Sequence, residues 1–312
     1  MANRFPLSAL LILSVGLSWS CKEKETDAPQ QRLDSSGSPL GHTANILSFG
    51  PRVAGTTEAA EARSYVTSVL KEAGWTVGNQ IIKTPTPQGE KTFVNILARF
   101  PTSEDSDPWK QPVTGILCAH LDSKYSPKKR FLGADDAASA CGLILTMAQE
   151  MASDRERASQ MELVFFDGEE AFSENIGPTR AGIFDGLYGS KAYASRWLKT
   201  TKKPSFGILL DMIGHKDLAI KVPSDSPPKL LSAMNQAAEK LGHQERFQTS
   251  SGQILDDHYF LNQVGIPTID IIGDFTAKSW WHTPKDNIDL ISADSLAITK
   301  SVVDEMLANL IK

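Results

Sequence analysis

Carboxylate and imidazole side chains, which can bind a metal ion or move a proton, are concentrated in short segments of this 312-residue chain. The segments are CAHLDSK (118–124), GADDAAS (133–139), FFDGEEAF (165–172), LLDMIG (209–214), LDDHYF (255–260) and WWHTPKDN (280–287). Taken singly, each has a structural explanation, because Asp commonly caps a helix and paired Glu residues usually lie on a solvated loop. Together they offer the candidates His120, Asp122, Asp136, Glu169, Glu170, Asp211, Asp256 and His282.

A cation would explain this concentration of acidic residues. So many carboxylates in one place would repel one another and raise each other's pKa unless a cation lay among them. A mixed set of carboxylate and imidazole ligands, with no thiolate required, suits zinc at a catalytic site with an open coordination position. Glu169 and Glu170 are adjacent and cannot face one ion in the same way, so we expect one to bind the metal and the other to act as a general acid/base.

The elements that must position these residues follow from the hydrophobic pattern. Strands are predicted at 91–99, 113–119, 161–166, 206–211 and 267–272. Helices are predicted at 57–73, 136–152, 187–199, 227–240, 257–263 and 293–311. Near-continuous apolar strands alternating with helices predict an α/β fold, a three-layer sandwich whose central mixed, mostly parallel twisted sheet has helices on both faces. Ligands bind such sheets at the carboxyl ends of the strands, where the chemical segments lie.

Charge and cysteine content narrow the classes of partner. The chain has 32 Lys and Arg against 37 Asp and Glu, so it lacks the basic stripe that binding to nucleic acid requires. Cys118 and Cys141 could form a disulfide in an exported protein, but we slightly favour two buried thiols.

The N-terminal residues predict export. Residues 1–20 have one Arg, an apolar run and then small residues, as a signal peptide does. Cys21 follows directly and would be lipidated, with ordinary secretion as the alternative. Residues 21–40 would be the lipidated cysteine and a flexible tether, and residues 41–312 a single catalytic domain. We therefore expect a periplasmic, membrane-anchored lipoprotein that contacts the membrane only through Cys21.

Several of these segments together resemble a known family. HLDSK, GADDAASAC, FFDGEEAF, DGLYGSKAYA, LLDMIG, LDDHYF, VGIP and WWHTPKDN occur in the order and at the spacing of the animal-type glutaminyl-peptide cyclotransferases. The resemblance covers residues 52–290. This family is related to the two-zinc exo-aminopeptidases, and it converts an N-terminal glutaminyl residue to pyroglutamyl with release of ammonia.

The resemblance implies a role for individual residues. One zinc ion per chain would be bound by Asp136, Glu170 and His282. Glu169 would be the general acid/base, and would also bind substrate together with Asp211. Asp211 and Asp256 would hold a hydrogen-bond network near the substrate amine, and Trp281 would wall the pocket for the glutamine side chain. The implied partners are peptides or proteins with N-terminal Gln, acted on by a monomer.

The implied chemistry is intramolecular, because the substrate's α-amine attacks its own γ-carboxamide. Zinc would polarise the carboxamide carbonyl as a Lewis acid. Glu169 would transfer a proton from the attacking amine to the leaving ammonia.

Two other functions compete with cyclisation. A two-zinc exo-aminopeptidase would use His120, Asp136, Glu170, Asp211 and His282, all of which are present; His120 binds metal only in that case. The cyclase is favoured by Ser123 and Lys124 after the HxD block, by Asp256, and by Trp281 directly before His282. A non-catalytic lipoprotein that binds peptide termini would be expected to lack the acid/base, yet Glu169 is present.

Some positions depart from the family pattern. Asn175 stands where the animal enzymes have Trp, so any preference for the second substrate residue is left open. The family cysteine that precedes the HxD block falls on Ala119, and Cys118 lies one position earlier. A shift of one residue turns a strand side chain to the other face, so the family disulfide to Cys141 is also left open.

Overall fold

A six-stranded mixed sheet carries the fold in the computed structural model, which describes residues 37–128, 130–276 and 278–311. The strands are β1 (Thr76–Thr86), β2 (Gly89–Arg99), β3 (Gly115–His120), β4 (Met161–Phe166), β5 (Gly177–Pro178), β6 (Phe184–Asp185), β7 (Phe206–Asp211), β8 (Ile220–Val222), β9 (Phe247–Thr249) and β10 (Thr268–Ile272). The predicted signal peptide, Cys21 and residues up to 36 of the tether lie outside the described residues. Within the described ranges, no helix combines the length and apolarity needed to cross a membrane.

The sheet has the order β1-β2-β4-β3-β7-β10. Strands β4, β3, β7 and β10 are parallel neighbours, whereas β1 pairs with β2 and β2 pairs with β4 in antiparallel fashion. The four parallel strands are buried along their whole length, as continuous apolar runs require. Hairpins β5–β6 and the pair β8–β9 lie outside this sheet.

Helices cover both faces of the sheet. They are α1 (Pro39–Ser48), α2 (Thr57–Glu72), α3 (Ala140–Met151), α4 (Arg155–Ser159), α5 (Tyr188–Ser195), α6 (Pro228–Lys240), α7 (His258–Gln263) and α8 (Ala293–Leu310). Residues of α1, α2, α3, α6 and α8 share one apolar cluster with Leu117 and Ala119 of β3. Residues of α5 and α7 share the other cluster with Ile116 and Cys118. The predicted three-layer α/β architecture is therefore confirmed.

The strands and helices missed in the sequence are the short β5, β6, β8, β9 and α4 and the longer β1 and α1. Strand β1 is at the sheet edge and exposes alternate side chains, so its sequence TVGNQIIKTPT has little apolar signal. Helix α1 begins at Pro39, inside the segment predicted as tether, and the Ser38 side chain caps it by accepting from the Gly41 N–H.

The predicted helix 136–152 is wrong over its first residues. Regular helix starts only at Ala140, because the preceding segment Ala134–Ser139 has irregular backbone angles. Asp136 has φ −104° and ψ 84°, and the Asp136–Ala137 peptide bond is cis. Asp136 thus lies on an irregular turn after β3 and not on a helix face.

Both cysteines of the domain are free and buried, as we favoured. Cys118 packs in the cluster beneath α5 and α7, whereas Cys141 packs on the opposite face of the sheet beside Ala119. The Cys141 thiol donates to the His120 carbonyl at 3.0 Å. The one-residue shift between Cys118 and Ala119 therefore separates the two thiols by the thickness of the sheet.

Candidate active site

The carboxyl edge of the parallel strands carries the candidate site. His120 ends β3 and Asp211 ends β7, and Glu169 and Glu170 follow β4 by a short turn. A cavity of about 210 Å³ opens at this edge. It is lined by Asp136, Glu169, Glu170, Asp211, Asp256, Trp281 and His282, among others. The structure therefore brings six of the eight candidates from distant parts of the sequence into one cavity, whereas His120 and Asp122 are buried and are not among its described lining residues.

Asp136, Glu170 and His282 are grouped as metal ligands would be. The His282 Nε2 atom lies 3.4 Å from Asp136 Oδ2 and 3.4 Å from Glu170 Oε1. Zinc–ligand bonds of about 2.0–2.1 Å in a tetrahedron place neighbouring ligand atoms roughly 3.3 Å apart. Burial lowers the pKa of His282, but its contacts with the two carboxylates raise it to about 9. These three residues fit a zinc ion with one open position.

A second group shares Asp136 with the first. The His120 Nε2 atom lies 3.2 Å from Asp136 Oδ1 and 3.4 Å from Asp211 Oδ1. Asp136 thus directs one carboxylate oxygen towards His282 and the other towards His120. Burial would raise the pKa of Asp136, but hydrogen bonds to the two imidazoles hold it well below its usual value. A second ion could be held by His120, Asp136 and Asp211, as an aminopeptidase would require.

Glu169 belongs to neither group of candidate ligands. Its Oε2 atom lies 4.0 Å from His120 Nε2, and the residue is buried. Burial raises the pKa of Glu169 well above its usual value, and the charges of Glu170, Asp256 and Asp257 raise it further against the opposing effect of His120. A carboxyl that holds its proton more tightly and lies beside a metal site is suited to general acid/base catalysis.

Asp211, Asp256 and Trp281 complete the cavity wall. Burial raises the pKa of both carboxyls above the usual value, although hydrogen bonding to His120 opposes the shift at Asp211. The indole of Trp281 stacks on the His282 ring at 4.0 Å between centroids and also packs against Phe275. Trp281, which the resemblance implied would form a wall of the pocket, therefore lines the cavity.

The backbone near the ligands is held in uncommon conformations. His282 has φ 52°, in the left-handed region that non-glycine residues rarely adopt. Gly133 has φ 62°, and a Cβ atom there would lie 2.1 Å from the Asp136 carbonyl oxygen. Strain of this kind persists where the surrounding structure over-determines it, which is common at functional sites.

Asp286 is a supporting residue that we did not single out in the sequence. Its two carboxylate oxygens accept hydrogen bonds from consecutive backbone N–H groups, those of Asp135 at 2.8 Å and Asp136 at 3.3 Å. Asp122 does the same for Glu169 and Glu170, at 3.2 Å each. Each carboxylate thus fixes the turn that carries a candidate ligand. The only sequence signal for Asp286 was its position four residues after His282.

Asp286→Ala is expected to lower zinc affinity by about 10- to 100-fold, since groups that orient metal ligands typically contribute that much. Two buried N–H groups would lose their acceptor, so thermal stability should fall as well. Competition with a chelator measures the affinity. Asp289→Ala, which removes an exposed carboxylate three residues later, is the control. Equal zinc affinity in the two variants would show that Asp286 does not position the site.

The outer part of the cavity includes the family departure at Asn175. Glu174, Asn175 and Ile176 form one side of the opening. Lys124 lines the same region, with its Nζ atom 3.4 Å from Glu170 Oε2 and 3.5 Å from the Glu174 carbonyl oxygen. Asn175 therefore lies where it can contact a bound substrate.

Comparison with known proteins identifies relatives of the whole described domain. The sequence model described as peptidase family M28 matches residues 95–307. A glutaminyl-peptide cyclotransferase of Drosophila melanogaster is 30% identical over 278 residues, which cover 80% of this chain and 75% of the relative. A glutaminyl cyclase of an Acidobacteriales bacterium superposes with TM-score 0.76 and 28% identity, covering 91% of this chain and 98% of that one. A Zn-dependent exopeptidase of Parabacteroides distasonis superposes with TM-score 0.75 and 27% identity, covering 89% and 99%.

Proposed function

Since the chain belongs to peptidase family M28 and, within it, to the glutaminyl-peptide cyclotransferases, we propose that it converts N-terminal glutaminyl residues of peptides to pyroglutamyl residues and releases ammonia. The main structural support for this proposal is the buried Glu169 carboxyl. It lies beside a group of three candidate metal ligands but is not one of them. We assign one zinc ion per chain to Asp136, Glu170 and His282. When bound, the ion supplies Lewis acidity to the γ-carbonyl of the substrate.

Glu169 performs the proton transfers of the reaction. It takes a proton from the α-amine as that nitrogen bonds to the γ-carboxamide carbon. It then returns the proton to the carboxamide nitrogen as the original C–N bond breaks and ammonia leaves. Burial, which raises the pKa of Glu169, makes the protonated form accessible for this second step. One carboxyl thus serves both as base and as acid.

Asp211 and Asp256 orient the reacting amine. Both are buried and line the cavity with Glu169. Their oxygens accept hydrogen bonds from the substrate amine and from the protonated Glu169 carboxyl. The Asp256 carboxylate is itself held by the backbone N–H of Asp257, which donates to Oδ1.

The size of the cavity and Trp281 favour cyclisation over hydrolysis. A volume of about 210 Å³ is below the range of roughly 300–1,000 Å³ for pockets that hold drug-sized ligands, so it suits a single side chain. Folding that side chain until the amine meets the carboxamide provides much of the rate enhancement, since both groups already belong to one molecule. The indole of Trp281 excludes water that would otherwise convert glutamine to glutamate.

The competing two-zinc aminopeptidase is favoured by one observation, the group formed by His120, Asp136 and Asp211. Peptide hydrolysis by a two-zinc mechanism would need a second zinc ion bound by these three residues. Against it stand the cyclase relatives and the Trp281 wall beside His282. A non-catalytic peptide-binding lipoprotein is disfavoured because Glu169 is in place as a proton carrier.

We expect the purified protein to bind one zinc ion per chain and to release ammonia from a Gln-initiated peptide. Elemental analysis counts the metal, and a coupled ammonia assay with mass spectrometry detects the product. The N-acetylated form of the same peptide is the control, because its blocked amine cannot attack the carboxamide. Two zinc ions per chain together with release of free amino acids would instead establish the aminopeptidase.

We further propose that the enzyme is exported to the periplasm as a monomer and anchored through a lipid on Cys21. The proposal of export and anchoring depends on residues 1–21, which resemble a lipoprotein signal: one Arg, an apolar run, small residues and then Cys21, although Ser18 and Trp19 depart from the usual pattern. Incorporation of labelled fatty acid that requires Cys21 is the measurement that tests it.

A further inference from the structure

A second, larger cavity lies beside the candidate active site. It has a volume of about 820 Å³ and is bounded by the loop 51–56, the end of the β1–β2 hairpin and the segment that follows β3. We propose that this cavity binds the residues after the N-terminal glutaminyl residue of the substrate, and that it favours acidic side chains there. The inference rests on the proposed cyclase function and adds its substrate class.

The two cavities share a wall. Lys124 lines both of them. Phe131, which lines the larger cavity, packs edge-on against the imidazole of His282, with ring centroids 5.7 Å apart. A peptide whose first residue occupies the smaller cavity can therefore continue past Lys124 directly into the larger one. At about 3.3 Å per extended residue, the next two or three residues would lie within it.

The charges of the two cavities are opposite. The basic residues that line the smaller cavity are Lys124 and His282. Its six carboxylates are those of Asp136, Glu169, Glu170, Glu174, Asp211 and Asp256. Among the residues that the structure describes, the larger one is lined by Lys91, Lys124, Lys128 and Arg130, with Glu90 as the one acidic residue. A substrate with a positive amino terminus followed by negative side chains matches this distribution. Complementary charge of this kind acts mainly on specificity and on the rate of association.

Aromatic rings form the base of the larger cavity. Tyr125 and Phe172 line it, with ring centroids 6.1 Å apart, and Phe172 in turn packs near Phe93. The Lys91 Nζ atom lies 5.8 Å from the centre of the Phe172 ring, within the range of a cation–π contact. Since Lys91 and Phe172 both line the cavity, this contact holds the Lys91 ammonium near the cavity wall. The volume of about 820 Å³ lies in the range of roughly 300–1,000 Å³ that binding pockets occupy.

Three C-terminally amidated peptides test the inference: Gln-Glu-Glu-Ala, Gln-Ala-Ala-Ala and Gln-Lys-Lys-Ala. The full chain is expected to show the highest kcat/KM with the acidic peptide and the lowest with the basic one. Lys91→Glu and Lys128→Glu should each lower the ratio of kcat/KM for the acidic over the alanine peptide by about two- to five-fold, the range for exposed ion pairs. Added salt should reduce the ratio of the unaltered enzyme, because charges of this kind are screened beyond about 8–10 Å.

Lys229→Glu is the matched control, since it makes the same charge change at an exposed residue of α6 that lines neither cavity. The control should keep the acidic preference of the unaltered enzyme. If both cavity variants kept that preference while still cyclising the alanine peptide, the inference would be overturned and the cyclase function would stand. If the unaltered, zinc-loaded enzyme cyclised none of the three peptides, the proposed function would fail, and the inference with it.

Discussion

Glu169→Gln is expected to lower kcat for cyclisation by about 10²- to 10⁴-fold, the usual contribution of a general acid/base, while the protein still binds one zinc ion. The amide keeps the shape of the side chain but can neither accept the amine proton nor return it to the leaving group. Of the two adjacent glutamates that line the cavity, only Glu169 is outside the metal groups, because Glu170 belongs to one of them together with Asp136. The substitution therefore separates proton transfer from metal binding.

The surroundings of Glu169 make this substitution structurally mild. The backbone N–H of Glu169 donates to Asp122 Oδ1 at 3.2 Å, and this bond does not involve the side chain that is changed. Burial already raises the pKa of Glu169, so an uncharged amide is compatible with the site. Ammonia release gives kcat and elemental analysis gives the zinc content.

Glu174→Gln provides the control for Glu169→Gln, because Glu174 also lines the cavity but is exposed and belongs to neither metal group. It should retain most of the activity. A zinc-loaded Glu169→Gln protein with nearly unchanged kcat would show that another group transfers the proton.

The sequence could predict that the site residues lie close together, because several of them are at or just after the carboxyl ends of neighbouring parallel strands. The apolar runs that became β3, β4 and β7 were visible in the sequence, and His120 and Asp211 end two of those runs. Parallel neighbours end at the same edge, so residues more than 90 positions apart come together without any knowledge of side-chain contacts.

Other features depend on tertiary contacts that leave no periodic signal. Helical spacing predicted that Asp136 begins a helix, but two consecutive backbone N–H groups, those of Asp135 and Asp136, donate to the Asp286 carboxylate and hold that segment in an irregular turn. Strand β1 exposes Asn79, Ile81, Lys83 and Pro85, and it is formed by pairing with β2 over its full length. Asp286 is 150 residues from Asp136 in the sequence, so no local pattern could indicate that contact.

The ligand geometry alone fits two chemistries. Asp136 is common to both candidate metal groups, with one carboxylate oxygen facing each of them. The same strand edge can therefore hold one ion or two without any change of backbone. Which reaction follows depends on how many ions bind and on what surrounds them, and we propose that Trp281 and Glu169 supply the surroundings for cyclisation.

Because both groups share it, Asp136→Asn is expected to lower zinc affinity by roughly 10²- to 10³-fold, with a parallel loss of activity at limiting zinc. Apparent zinc-binding energies on the order of 10 kcal/mol, divided among three ligands, give about that factor for the loss of one charged ligand. His120→Gln is the informative comparison, because His120 belongs only to the second group. In a one-zinc cyclase it should leave the zinc content at one ion per chain.

Chelator competition and elemental analysis of both variants distinguish the two enzymes. In a two-zinc aminopeptidase, His120→Gln would reduce the zinc content from two ions to one, and Asp136→Asn would weaken both sites at once. In the cyclase, only Asp136→Asn should change metal binding, because the zinc ligands would be Asp136, Glu170 and His282. The His282 Nε2 and Glu170 Oε1 atoms are 3.4 Å apart near one carboxylate oxygen of Asp136, whereas His120 contacts the other oxygen. Full zinc affinity in Asp136→Asn would contradict the assignment of Asp136 as a ligand. The shared carboxylate thus makes Asp136 the residue whose substitution must affect the metal under either mechanism, and His120 the residue whose substitution separates them.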